Sequence, residues 1–155
     1  MKVLLFNNEH VIRPFMEALV GTPGAFSEGR AVGLVDVDEE TSEGTLVAGC
    51  WFEKWNGVNL YMHIAALPGA RWLNREFLAY CFHYPFVELN CKRVTGYIAA
   101  SNFSSRRFSE HIGFEVEATL KEADPTGDVM IYVLWKDRCR WLKLKPHSVP
   151  KMTEH

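Results

Sequence analysis

The sequence has no run of ~18 apolar residues, the length a membrane-crossing helix needs, so no transmembrane helix and no membrane partner are expected. Its opening, MKVLLFNNEHVIRPF, carries only a short apolar run before Asn7, too brief for a secretory signal. It lacks CxxC spacing: Cys50, Cys81, Cys91 and Cys139 are dispersed, which reads as reduced thiols and suits a cytoplasmic setting. The six histidines do not join these cysteines at zinc-ligand spacings, so no metal is expected. There is no basic excess either; the formal net charge is −2, which gives no overall reason to expect nucleic-acid binding. No internal repeat and no second domain can be found.

What is present fits one globular domain. A chain of 155 residues, 48% hydrophobic and 23% charged, is long enough for a real core. Residues 1–142 are expected to form it, with a polar, loosely ordered tail over 143–155. Lys2–Phe6 reads as a strand, and residues 10–20 as a helix with Val11, Phe15, Ala18 and Leu19 on one face. Pro14 in that helix is tolerable only near the first turn. A loop with Pro23 and Gly24 follows, whose Phe26 either covers the core or lines an opening. Residues 31–37 and 45–55 read as strands around an acidic turn. Asn56-Gly57 signals a two-residue hairpin, which makes 58–65 the antiparallel partner.

Leu67-Pro68-Gly69-Ala70 breaks the strand. Trp72, Leu73, Phe77, Leu78, Cys81 and Phe82 then recur at helical spacing, up to about Tyr84-Pro85, where proline disfavours helix. The stretch from Arg93 to Phe114 is the most regular: strand Arg93–Ala99, a cap at Asn102, helical Phe103, Phe108 and Ile112, and a stop at Gly113. Residues 115–122 and 129–135 form a last pair around the turn Asp124-Pro125-Thr126-Gly127. The result is a mixed α+β architecture.

Three sets of residues carry a resemblance. Tyr84-Pro85-Phe86 with Leu89-Asn90-Cys91-Lys92-Arg93-Val94 is similar to an aromatic pair followed by LGxxRV. Asn102, Ser105, Phe108 and Ile112-Gly113-Phe114 are similar to NxxSxRxxExxGF. Residues 117–120, Gly127-Asp128 and Tyr132 are similar to EGxLR…GD…Y, with Ala118 and Lys121 in place of the glycine and arginine. In this order the chain resembles the GNAT superfamily of acyl-CoA-dependent N-acetyltransferases. Within it the likeness is to the ribosomal-protein N-terminal acetyltransferase branch, which includes acetyltransferase-like proteins encoded by bacteriophages. The resemblance implies a GNAT fold: a three-layer α/β arrangement with a mostly antiparallel twisted sheet of about seven strands and helices on both faces.

It also implies acetyl-CoA as cosubstrate, lying in a V-shaped opening between strands 58–65 and 93–99, with Ile64 and Ala65 beside the acetyl arm. Its pyrophosphate would rest on free amides at the next helix start, where the helix dipole favours anions. The family signature there is Q/R-x-x-G-x-G/A; this chain offers Arg71 through Glu76, with Asn74 and Glu76 in the glycine places. Gly69 would allow one close approach, and Arg71 and Arg75 would supply charge; the plain alternative is two solvated arginines. Asn102, Ser105 and Arg106 would meet the pantetheine end, Asn102 also serving as a helix cap. Ser109 stands where the family often has a proton-donating tyrosine, and is otherwise an ordinary helix-surface serine. For the base, His63 sits on the fourth strand beside the expected acetyl position, Glu53 lies on the facing strand, and Tyr61 shares a strand face with His63.

The expected function is acetyl transfer from acetyl-CoA to a primary amine by direct attack. The alternative is a catalytically lapsed GNAT-fold binding or host-interaction module, favoured by the missing glycines and tyrosine. Transfer of another acyl chain is a third reading. The acceptor stays open among a protein N-terminus, a lysine, a polyamine and an aminoglycoside. Trp135 and Trp141 either bury area or form a homodimer surface.

Overall fold

The computed structural model describes residues 1–21, 24–71 and 74–143. Its strands are β1 Lys2–Phe6, β2 Gly29–Val37, β3 Gly44–Glu53, β4 Tyr61–Ala66, β5 Arg93–Ala99, β6 Glu115–Asp124 and β7 Gly127–Trp135. The helices are α1 Glu9–Val20, α2 Arg75–His83 and α3 Phe103–Ile112, and short 3₁₀ turns span Lys136–Arg138 and Arg140–Lys143. The strands form one sheet in the order β1-β2-β3-β4-β5-β7-β6. Every neighbouring pair is antiparallel except β4 and β5, which run parallel.

Both faces of the central strands are covered, which is why β2 and β3 read as nearly continuous apolar runs and not as strict alternation. On one face α1 buries Ile12 and Met16 against Ala31, Trp51 and Phe26. On the other, α2 and the end of α3 pack Phe77, Tyr80, Phe82 and Ile112 against Val32, Cys50, Phe52, Val94 and Tyr132. Full burial of a side chain such as Ile12 is worth ~1.5–3 kcal/mol. The approach of α1 depends on two missing side chains. A Cβ at Gly49 would meet the Met16 sulfur at 2.8 Å, and one at Gly33 would meet Leu46 at 2.9 Å and Ile12 at 3.2 Å. All four cysteines are buried free thiols.

Several local expectations change. Residues 56–57 do not form a two-residue hairpin. The ladder closes at Glu53↔Tyr61, and the Asn56 side chain accepts from Val58 N and Asn59 N in a wider loop. β4 accordingly begins at Tyr61 and not at residue 58. Helix α2 starts at Arg75, capped by Asn74, and residues 72–73 lie outside the described residues. Pro85 does not end the helical path. Tyr84 stays right-handed, and a π-helical turn over Tyr84–Glu88 closes with Leu89 N donating to Tyr84 O, so the ring needs no N–H of its own. Pro14 sits one turn inside α1, where the carbonyl of exposed His10 loses its helical donor to solvent. Trp51 is buried, while Trp55 and Trp135 are exposed. The tail expected over 143–155 lies, after Lys143, outside the described residues. No helix among the described residues is long and apolar enough to cross a membrane.

Candidate active site

The parallel pair β4–β5 is joined only at its base. Lys92 N and Arg93 N donate to Val58 O, and Thr95 N donates to Leu60 O at 2.9 Å. The one register pair in the ladder is Tyr61↔Thr95. Beyond it each strand stays tied on its outer side, β4 to β3 as far as Ala66 and β5 to β7 as far as Ala99, while their facing edges separate. A cavity of about 240 Å³ fills the gap. Its walls are Met62, His63 and Ile64 on β4, residues 96–99 on β5, and Asn102, Ser105, Phe108, Ser109 and Ile112 on α3.

The α3 wall follows from local code. Asn102 Oδ1 accepts from Ser105 N at 3.2 Å and so caps the helix. Gly113, with φ +116°, ends it, and the amides of Gly113 and Phe114 return to the carbonyls of Glu110 and Ser109. Ser105 and Ser109, four residues apart, share the face turned to the cavity.

The β4 wall follows from pairing. His63 stands opposite Trp51, and Glu53, two residues along on β3, lies diagonal to it on the same face. His63 Nε2 approaches Glu53 Oε2 at 3.4 Å. Glu53 is 5% exposed. Burial acts to raise its carboxyl, but His63, with smaller help from Lys54 and Ser27, outweighs this and holds the group below its usual range. It is a carboxylate at neutral pH, and its counterpart is an imidazole that opens onto the cavity.

Of the other residues singled out by sequence, Tyr61 marks the closed base of the cleft, with the Lys54 ammonium over its ring at 5.6 Å. Ala65 packs into the α1 cluster and does not line the cavity. Arg106 does not line it either. Its guanidinium donates to Tyr132 Oη at 3.2 Å and to Ala100 O at 3.0 Å, bracing the start of α3. Gly69, with φ +77° and open space where a Cβ would point, Arg71 and Arg75 lie along the approach to α2, away from the cavity walls. Arg71 precedes the helix, so only Arg75 and Glu76 occupy the first turn. Asn74 Oδ1 accepts from Phe77 N at 2.9 Å, which occupies one of the first-turn amides. Tyr97 and Asp124 line the cavity without having been singled out. No local signal points to Asp124; the β6–β7 hairpin brings it to the cavity wall. Hydrogen bonds from Thr126 hold its carboxyl below the usual range.

The residues suit an extended, amide-bearing chain. Two separated strand edges offer backbone groups to pair with it, apolar side chains line the bottom, and two exposed arginines lie toward the α2 N-terminus. No group of three or more histidine, cysteine, aspartate or glutamate side chains that could hold a metal is found among the described residues.

No family model matches the sequence, and no curated protein sequence matches it. Solved structures do. A mutant form of the spermidine N-acetyltransferase SpeG from Vibrio cholerae superposes with a TM-score of 0.69 at 16% identity, covering 91% of this chain and 96% of that one. The same enzyme in complex with manganese ions gives 0.66 at 15% identity over 88% and 93% of the two chains. A GNAT-family acetyltransferase from Bacillus anthracis gives 0.56 at 17% identity over 81% and 73%. The chain has the GNAT fold. At these identities the likeness concerns architecture.

Proposed function

We propose that the chain is an acyl-CoA-dependent N-acetyltransferase that moves an acetyl group from acetyl-CoA to a primary amine by direct attack. The observation that carries this reading is the opening between parallel β4 and β5, with the Glu53–His63 pair on one wall and the capped α3 helix on the other. Acetyl-CoA supplies the acetyl group as a thioester, which the acceptor nitrogen attacks as the thiolate leaves. The strand edges of β4 and β5 pair with the pantetheine amides, Asn102 and Ser105 meet that arm, and Arg71 and Arg75 stand toward the phosphates. The acceptor arrives as an ammonium and must lose a proton to attack. Because ionised Glu53 faces Nε2 of His63, Nε2 carries the hydrogen and Nδ1 keeps the lone pair that takes this proton. Ser109, on the cavity wall, hydrogen-bonds the departing sulfur in this reading, and solvent returns the proton.

Carboxylates on the cavity wall (Asp124) and beside His63 (Glu53) favour a cationic acceptor. The Vibrio cholerae fold neighbours are named for spermidine, and the C-terminal motifs resemble enzymes that act on protein N-termini, so both amine classes belong in an acceptor screen. One observation favours a lapsed binding module: Asn74, where the family has glycine, uses the Phe77 amide for its own cap.

Calorimetry with acetyl-CoA decides between them. Heat of binding that weakens in Arg71→Ala and Asn102→Ala supports the enzyme; no heat at millimolar acetyl-CoA sinks it. Mass spectrometry of spermidine, lysine peptides and free N-terminal peptides then identifies the acceptor.

A further inference from the structure

Behind His63 lies a contact set that the proposed reaction does not by itself require. The ring of Phe26, 4% exposed, packs on His63 with centroids 4.7 Å apart and stacks on Trp51 at 5.9 Å. Phe26 belongs to no helix or strand, yet both its backbone polar groups are held by side chains of α1. Its N–H donates to Glu17 Oε2 at 3.1 Å, and its carbonyl accepts from Arg13 Nη2. Arg13 and Glu17 pair with each other at 3.7 Å, one turn apart, and the Arg13 guanidinium lies over the Trp51 ring at 5.6 Å. Trp51 Nε1 in turn donates to Ser27 O at 3.1 Å, which pins the residue after Phe26. Four bonds and ring contacts thus converge on Phe26, and a fifth holds Ser27 beside it.

The consequence is chemical. Glu53 Oε2 and His63 Nε2 are both buried and lie 3.4 Å apart, and neither has a hydrogen-bond partner among the described residues. A buried carboxylate costs several kcal/mol unless a donor faces it. With Phe26 seated, water is kept from this spot, and the ring nitrogen that faces Oε2 is His63 Nε2 at 3.4 Å. With Phe26 displaced, water can serve Glu53, and the imidazole is free to rotate or change tautomer.

We infer that Phe26, latched by Arg13 and Glu17, is a positioning residue that fixes the Nε2–H tautomer of His63 and so keeps Nδ1 as the proton acceptor. The inference rests on the acetyltransferase reading for its catalytic part and on geometry alone for its tautomer part, so the two can fail separately.

The test is ¹⁵N NMR of the His63 imidazole in the full chain above pH 8, with steady-state transfer to spermidine or a lysine peptide, in wild type and four variants. Wild type should show a single Nε2–H tautomer. Phe26→Leu, Glu17→Ala and Arg13→Ala should each move the two ring nitrogens toward averaged shifts and lower kcat about 3–10-fold, with KM within twofold. Glu17→Gln keeps an oxygen that accepts from Phe26 N–H and should retain wild-type behaviour. An unmoved tautomer signal in the folded Leu and Ala variants overturns the inference, as does a shifted tautomer with unchanged kcat. If no amine is acetylated by wild type, the reaction fails and the NMR signature alone decides the latch. Should Phe26→Leu fail to fold, the Glu17 pair of variants decides it.

Discussion

The two walls of the cleft are built by different means. On the α3 side the functional candidates sit within eight positions of each other, and a local cap and a glycine stop set their orientation. On the β4 side the pair that faces them is ten positions apart in sequence, joined by strand register, and sealed by a loop residue held from a helix. A locally coded wall should tolerate changes elsewhere in the molecule; a wall assembled from four elements should be sensitive to each.

The largest expected effect lies on the assembled wall. His63→Ala removes the proton acceptor and should lower kcat/KM by about 10²–10⁴-fold with the fold intact by circular dichroism. A loss under about threefold would mean that orientation alone drives the reaction. Next comes the coded wall. Asn102→Ala removes a cap worth ~1 kcal/mol, and the melting temperature should fall about 2–4 °C. Asn102→Asp restores the cap, so if it recovers stability but not acetyl-CoA affinity, capping and ligand contact are separate duties of one side chain. The His63 tautomer should be indifferent to both changes, and a shift there would break the distinction between the walls.

The smallest effect concerns the brace behind β5. Arg93 donates to both Glu117 oxygens at 2.8 and 2.7 Å and lies over Trp135 at 5.3 Å. The Arg93 hydrogen bonds hold the Glu117 carboxyl below its ordinary 4.5. A depressed folded-state pKa contributes stability that is present in full above the unfolded value and lost as pH falls through the folded one. Because Glu117 is 38% exposed, the contribution is at most ~1 kcal/mol. Glu117→Gln should melt slightly below wild type at pH 7, and the gap should close as pH falls through the folded-state value of Glu117. A gap that does not narrow on acidification would assign the difference to packing.

This division also marks what could be read in advance. The α3 cap, Phe108 and Ile112 on its inner face, Gly113 and the final hairpin turn were legible because short-range hydrogen bonding and turn chemistry decide them, whereas Phe103, expected on the same face, is 65% exposed. The α2 start and the passage through Pro85 were not, because a capping asparagine and a widened turn replace the expected signals. Arg106 carries a fitting charge, yet the nearby Tyr132 and Ala100, remote or outside the helix, claim its guanidinium.

On α1 the buried residues are Ile12 and Met16 and not the expected face of Val11, Phe15, Ala18 and Leu19, of which Val11 is 44% exposed. The sequence by itself determined the element order and a motif set similar to one family, because periodicity and turn residues act over a few positions. It did not determine the Glu53–His63 pair. A two-residue hairpin at Asn56-Gly57 would set Glu53 opposite residue 60 and send His63 to the opposite sheet face, whereas the observed Glu53↔Tyr61 register puts both on one face. A slip of one residue reverses every side chain in a strand. Only the packing of α1 and Phe26 over one face and α2 over the other decides which register buries the apolar set.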